Sequence, residues 1–323
     1  MAAGTVRRCS RIGRSAHRAC RCGRRPRIVG VPGIVSLLPS ATEWVYALGL
    51  ADRLAAVTFE CDEPASARVD HEVVVSGLAT QGLTPGEIDA LVRTTAASGG
   101  PMHRLDHDAL ARIAPDVVLT QDLCGVCALP ADDVTGALAA VGCPSTVVTL
   151  DPTTLAEVLD GAVAVADAAG RPRAGRLLRE RLQTRLDDVA AGVAGRSRPR
   201  VLVLEWTDPP YVAGHWVPDL VTAAGAVPVL ARPGGRSVTT TWDDVVTAEG
   251  DAVLVAPCGY GLDDAVAQAR DVLPRLPMLA AVWAIDAGGL VTRPGPRVVD
   301  AVEALADAFH EGRESTGRTA RLR

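Results

Sequence analysis

From residue 34 onward, short apolar runs alternate with stretches of helical periodicity, and this alternation limits the fold more than any other feature of the chain. Residues 34–38 form an apolar run ending in Pro39-Ser40, which reads as a buried strand. A helix opens at Thr42-Glu43-Trp44 and closes at Gly49. Ser40 or Thr42 offers an N-cap oxygen, and Glu43 suits the positive helix end. Further strands are predicted at 54–58, 73–75, 116–120 and 145–150, between helices at 87–93, 106–113 and 132–141. Two helical stretches follow, at 153–169 and 173–193. The second is about six turns, or ~30 Å, with Leu177, Leu178, Leu182, Leu186 and Val189 as its apolar stripe. The pattern then restarts. Strands are predicted at 201–204, 227–230, 252–256, 281–285 and 290–292, with helices at 218–224, 242–248, 262–272 and 298–309. Strands separated by helices imply parallel sheets covered on both faces.

The two halves echo each other. A helix ending in Leu48-Gly49 is answered by one ending in Ala224-Gly225, and Pro115-Asp116-Val117-Val118-Leu119 by Gly250-Asp251-Ala252-Val253-Leu254. The expected fold is α/β, with two Rossmann-like lobes built on parallel sheets and joined by one long α-helix. The expected division is an N-terminal lobe at 28–171, a linking helix at 172–196, a C-terminal lobe at 197–310 and a polar tail at 311–323. Ligands of open parallel sheets bind beyond the strand C-termini, which here is the gap between the lobes.

The chain has 323 residues and no Lys, and its formal charge is −5. Residues 1–27 hold nine Arg and no acid, so the rest carries −14. A body this acidic excludes nucleic acid as its partner. The Arg-rich arm reads as a disordered extension, with a nucleic-acid tail or a targeting segment as alternatives. It lacks the apolar core of a secretory signal, so a cytoplasmic protein is expected, and a periplasmic or cell-surface one only if this terminus is misassigned. No uncharged apolar stretch reaches the ~20 residues of a membrane span. Eight cysteines at this length do not make a disulfide scaffold and read as thiols.

Aromatics are only 3% of the chain. Six of the ten (Trp44, Phe59, Trp206, Tyr211, Trp216 and Tyr260) fall just after predicted strands, as walls for a large flat ligand would. Pro39-Ser40-Ala41-Thr42 precedes a helix N-terminus that can hold an anion or a carbonyl. His215 lies between Gly214 and Trp216, where it could ligate a metal or simply bond its loop. Cys124-Gly125-Val126-Cys127 follows a predicted strand, as do Cys61 and Cys258 with Gly259 beside it. These thiols either line a pocket or serve metal or redox chemistry. Glu60, Asp62, Glu205 and Asp208 could form an acid–base pair. Arg293 and Arg297 flank a stiff turn that could hold an acidic group or cap the last helix. No GxSxG, HExxH, Walker or GxGxxG motif is present, so no enzyme is expected.

Pro39-Ser40-Ala41-Thr42-Glu43, Ala47-Leu48-Gly49 and Pro115-Asp116-Val117-Val118-Leu119 resemble the substrate-binding proteins of ABC transporters for cobalamin and ferric siderophores. Glu60-Cys61-Asp62-Glu63-Pro64, Thr120-Gln121-Asp122-Leu123-Cys124-Gly125-Val126-Cys127-Ala128, Glu205-Trp206, Gly214-His215-Trp216-Val217-Pro218 and Pro294-Gly295-Pro296-Arg297 are similar to a cobalamin-binding branch of that family. The likeness spans about residues 30–310. It implies a class III periplasmic binding protein-like monomer that holds a corrinoid edge-on in a preformed cleft. The ligand-binding residues it implies are Pro39, Ser40, Ala41, Thr42, Phe59, Glu60, Cys61, Gln121, Cys124, Cys127, Glu205, Trp206, Tyr211, His215, Trp216, Cys258, Gly259, Tyr260 and Arg297. It also implies an ABC permease partner, docked through acids for which Asp108 and Asp243 or Asp244 stand here. Haem or a ferric siderophore is the alternative cargo, and a Cys/His metal or thiol-redox protein the alternative class.

Overall fold

The computed structural model describes residues 33–123, 128–310 and 317–323. The first lobe contains β1 (Ile34–Ser36), α1 (Pro39–Ala47), β2 (Leu54–Thr58), α2 (Ala67–Asp70), β3 (Glu72–Gly77), α3 (Pro85–Ala97) and β4 (His103–Leu105). It continues with α4 (His107–Ile113), β5 (Val117–Thr120), α5 (Ala131–Ala140), β6 (Thr146–Thr149) and α6 (Leu155–Ala168). Its six strands run in the order β4-β3-β2-β1-β5-β6, all parallel except the edge strand β4. Helix α7 (Pro172–Val193) leads to the second lobe. That lobe contains β7 (Arg200–Thr207), β8 (Pro210–Val212), α8 (Val217–Ala223), β9 (Val227–Pro228), β10 (Val238–Thr239) and α9 (Trp242–Thr247). It ends with β11 (Ala252–Val255), α10 (Leu262–Val272), β12 (Ala281–Ile285), α11 (Val298–Phe309) and β13 (Thr319–Arg321). Its order is β10-β8-β7-β11-β12-β13, with β9 beside β7.

The internal echo has a physical basis. β1 sits between β2 and β5 as β7 sits between β9 and β11. Asp116 accepts the Gly33 N–H at 2.8 Å, and Asp251 accepts the Arg200 N–H at 2.7 Å. The carbonyl of each Asp then takes the N–H of the next strand, Thr146 in one lobe and Ala281 in the other. The repeated Asp therefore registers three neighbouring strands in each lobe.

Four expectations are corrected. The predicted strand at 290–292 is part of a wide helical turn, Ala287–Val291, whose N-terminal N–H of Gly289 is bonded by Asp286. The 311–323 segment is not wholly a tail: β13 adds antiparallel to β12, supplying an edge that β12 would otherwise expose. The sheets are mixed at their edges, since β4, β8, β10 and β13 all pair antiparallel. Helix α1 begins at Pro39, not Thr42, because Pro at the first position starts a helix at no hydrogen-bond cost. The Arg-rich arm, 1–27, lies outside the described residues.

One core cluster runs through α1, α6, α7, α8 and α11, so the rod packs continuously with both lobes. On α7, Leu178, Leu182, Leu186 and Val189 are buried, while Leu177 is 49% exposed because it sits about 100° off their face. Gly175 brings α7 against α6: a Cβ there would lie 2.6 Å from the Ala162 carbonyl and from Ala166 Cβ. Two backbones cannot give way as a flexible side chain can. Gly175→Val should therefore cost at least about 2 kcal/mol and lower the urea midpoint clearly. An unchanged midpoint would show that the rod is not clamped at this position.

Candidate functional site

The carboxyl ends of β1, β2, β3 and β5 face those of β7, β11 and β12 across a cleft of about 530 Å³. This is the place where open parallel sheets bind ligands, and the volume suits a small-molecule pocket. From the first lobe the lining includes Pro39, Ser40, Phe59, Glu60 and Gln121, and from the second Trp206, Cys258, Gly259 and Tyr260.

Each lobe contributes a pair of rings. Phe59 and His103 lie 6.5 Å apart, tilted by 45°, on one wall, and Trp206 and Tyr260 lie 5.7 Å apart, tilted by 48°, on the other. Phe59 is placed by Gly77: a Cβ there would fall 2.3 Å from the ring. Trp206 Nε1 donates to the Pro85 carbonyl of α3 and to the Asp208 carbonyl. Tyr211 donates to Asp89 of the same helix at 3.4 Å. Helix α3 thus leaves the first lobe, leans on the β7–β8 turn of the second, and turns Ile88 and Val92 to the cleft.

Apart from Arg293, the polar lining is neutral or acidic. Burial pushes the Glu60 carboxyl up despite Arg293, and pushes the His103 imidazole down, which favours its neutral form. Burial and Asp264 push the Tyr260 phenol up. Arg293 lines the cleft but is held by Asp62 at 2.5 Å and donates to the Glu60 carbonyl. Gln121 donates to the Leu150 carbonyl at 3.2 Å.

Several expected site residues lie elsewhere. Ala41 is fully buried behind the cleft wall, and Thr42 is turned inward, donating to Ser36 Oγ. Cys61 is a core thiol, 3.1 Å from Thr42 Oγ1 and pushed up by burial, so it does not face the cleft. Trp216 packs in the core and donates to the Val291 carbonyl, as Trp44 does to Pro294. Arg297 is taken by Glu43 at 2.7 and 3.0 Å, so the acid this turn holds is the protein's own. His215 adopts φ +49° in the turn between β8 and α8 and is absent from the cleft lining. Glu205 is absent from the cleft lining and accepts from Ser237 and the Gly214 N–H. Cys124 and Cys127 lie outside the described residues. Among the described residues no three His, Cys, Asp or Glu side chains are grouped as metal ligands, and no helix is long and apolar enough to cross a membrane. The residues that sequence reasoning missed are chiefly Gly77, Leu78, Thr80, Gln81, Ile88, Val92, Met102 and His103. They lie between β3 and the start of β4, where α3 buries no residue in the core and turns Ile88 and Val92 to the cleft instead.

The family model for periplasmic binding proteins matches residues 34–303. The chain belongs to the periplasmic binding protein family. Members of this family are non-enzymatic, substrate-binding components of ABC transporters. Among solved structures, the periplasmic vitamin B12 binding protein BtuF of Vibrio cholerae is similar at 22% identity and TM-score 0.62, covering 85% of this chain and 95% of that one. A periplasmic heme binding protein of Pseudomonas aeruginosa is similar at 22% identity and TM-score 0.65, with 90% and 98% covered. The periplasmic heme-binding protein RhuT of Roseiflexus sp. RS-1 follows at 23% identity and TM-score 0.61, with 87% and 98% covered. No curated protein matches. The family and these neighbours are periplasmic, which corrects the expectation of a cytoplasmic protein. That expectation leaned on residues 1–27, whereas the lobes carry the family likeness.

Glu205 gives a test of this loop architecture. Burial pushes its carboxyl from an ordinary 4.5 up to about 7, against the pull of Ser237 and Gly214. The folded form therefore binds a proton that the unfolded chain releases, and stability falls as pH rises from about 4.5 to about 7. Glu205→Gln should flatten this slope, with a difference on the order of 3 kcal/mol above pH 7. Urea unfolding across this range measures it, and parallel profiles for the two proteins would refute it.

Proposed function

We propose that the chain binds a corrinoid, with cobalamin as the first candidate, in the interlobe cleft and delivers it to an ABC permease. The observation that carries this reading is the pair of ring walls, Phe59–His103 and Trp206–Tyr260, lining one cleft from opposite lobes. Rings on both sides suit a large flat macrocycle entering by its edge. The charge of the lining favours a corrinoid over haem. A corrinoid rim carries mostly neutral amides, which Ser40, Glu60, Thr80, Gln81, Gln121 and Thr292 can bond. Haem brings two carboxylates, which would meet Glu60 and Asp264, while Arg293 is already paired with Asp62. Asp108 in the first turn of α4 and Asp243 in that of α9 are the candidate permease contacts. Asp244 is less suited, since its carboxylate caps α9 through Thr241.

Haem is the second reading. It is favoured by the neutral His103 imidazole and by the haem-binding neighbours, and disfavoured by the raised Tyr260 phenol, which resists becoming an iron-binding phenolate. Calorimetric titration with cyanocobalamin should give one saturable site at micromolar ligand or tighter. Trp206→Ala should weaken it about tenfold, the scale of a lost ring contact. Saturation by haemin with no heat from cobalamin would overturn the corrinoid reading.

A further inference from the structure

Helix α1 has nine residues and opens onto the cleft without a side-chain cap: Leu38 holds the N-cap position and offers no oxygen. Its first intrahelical bond is donated by Thr42 to the Leu38 carbonyl at 3.3 Å, which leaves the N–H groups of Ser40 and Ala41 ahead of it. At this point Ser40 lines the cleft while only 2% exposed, and its Oγ is buried with no hydrogen-bond partner. A buried hydroxyl without a partner is costly in a protein at rest, so a bound group that completes it explains its retention. The loop after β2 brings Glu60 to the same cleft. That loop is tied to α1 by Cys61 Sγ against Thr42 Oγ1 at 3.1 Å. Ser40 offers a donor and Glu60 an acceptor.

We propose that Ser40 Oγ, the uncapped first turn of α1 and the Glu60 carboxyl form a subsite for a primary carboxamide on the ligand rim. The C=O of the amide accepts from Ser40 and the helix N–H groups, and its NH₂ donates to Glu60. A neutral, two-faced group fits better than an anion. The full negative charge of a carboxylate would sit beside Glu60, and the nearby guanidinium of Arg293 is committed to Asp62. This inference rests on the corrinoid reading, since a corrinoid rim carries primary amides and haem carries none.

The test compares cyanocobalamin, its singly hydrolysed side-chain carboxylic acids and haemin against the full chain and its Ser40→Ala variant. Ser40→Ala removes no bond within the folded protein, so its thermal midpoint should be unchanged or slightly raised. Its affinity for cyanocobalamin should fall roughly tenfold, the scale of one hydrogen bond. At least one singly hydrolysed acid should bind the unaltered chain about tenfold or more weakly and lose little further on Ser40→Ala. Glu60→Gln, a second variant of the same shape, should weaken cyanocobalamin several-fold. If the unaltered chain binds cyanocobalamin and both variants bind it equally well, the subsite is refuted while the corrinoid reading stands. If the unaltered chain binds haemin and no corrinoid, both are refuted.

Discussion

Glu43 is the hinge of the whole arrangement. It lies in α1 of the first lobe with its side chain 3% exposed, and both of its oxygens are held by Arg297 of the second. Burial pushes its carboxyl up, and the guanidiniums of Arg297 and Arg293 pull it back. Removing one partner of such a buried pair typically costs ~3–5 kcal/mol, because the other charge is left without compensation. Gly295 makes room for it, since a Cβ there would fall 2.9 Å from Glu43 Oε2. Trp44 adds a second tie, donating to the Pro294 carbonyl at 3.0 Å. The base of the cleft is thus welded across the lobes. Its rim is braced by α3 against Trp206 and Tyr211, and the rod α7 joins the lobes by packing on α6, α8 and α11. A cleft fixed on several sides loses little freedom when it binds, so affinity depends on complementarity.

Much of the fold was legible in the sequence because apolar period and turn chemistry carry it. Asp116 and Asp251 are an instance: their repeat in sequence reports the same strand-registering bonds in both lobes. The segment at 290–292 misled because a short apolar run after a strand reads alike as strand or helical turn, and only the Asp286 bond to Gly289 decides it.

The site was partly legible. Phe59, Trp206 and Tyr260 could be placed because aromatics at strand ends are rare in this chain, and all three line the cleft. Trp216, Cys61 and Glu205 occupy comparable positions and turn inward. Position in the chain does not say which way a strand-end side chain points; the partners do, here Val291, Thr42 and Ser237. Arg297 could not be assigned from sequence because Glu43 is 254 residues away. His103 was hidden because the edge strand β4 is three residues long and follows a helix without a buried face.

The fold is common to vitamin B12 and haem binders, so cargo must be read from the chemistry of the walls. The most direct measurement is a crystal structure of the protein with cobalamin. A corrin edge is expected between Phe59–His103 and Trp206–Tyr260, with Glu43–Arg297 intact and the lobes in the same relation as without ligand. A corrinoid bound elsewhere, or lobes rotated apart with that pair broken, would contradict it.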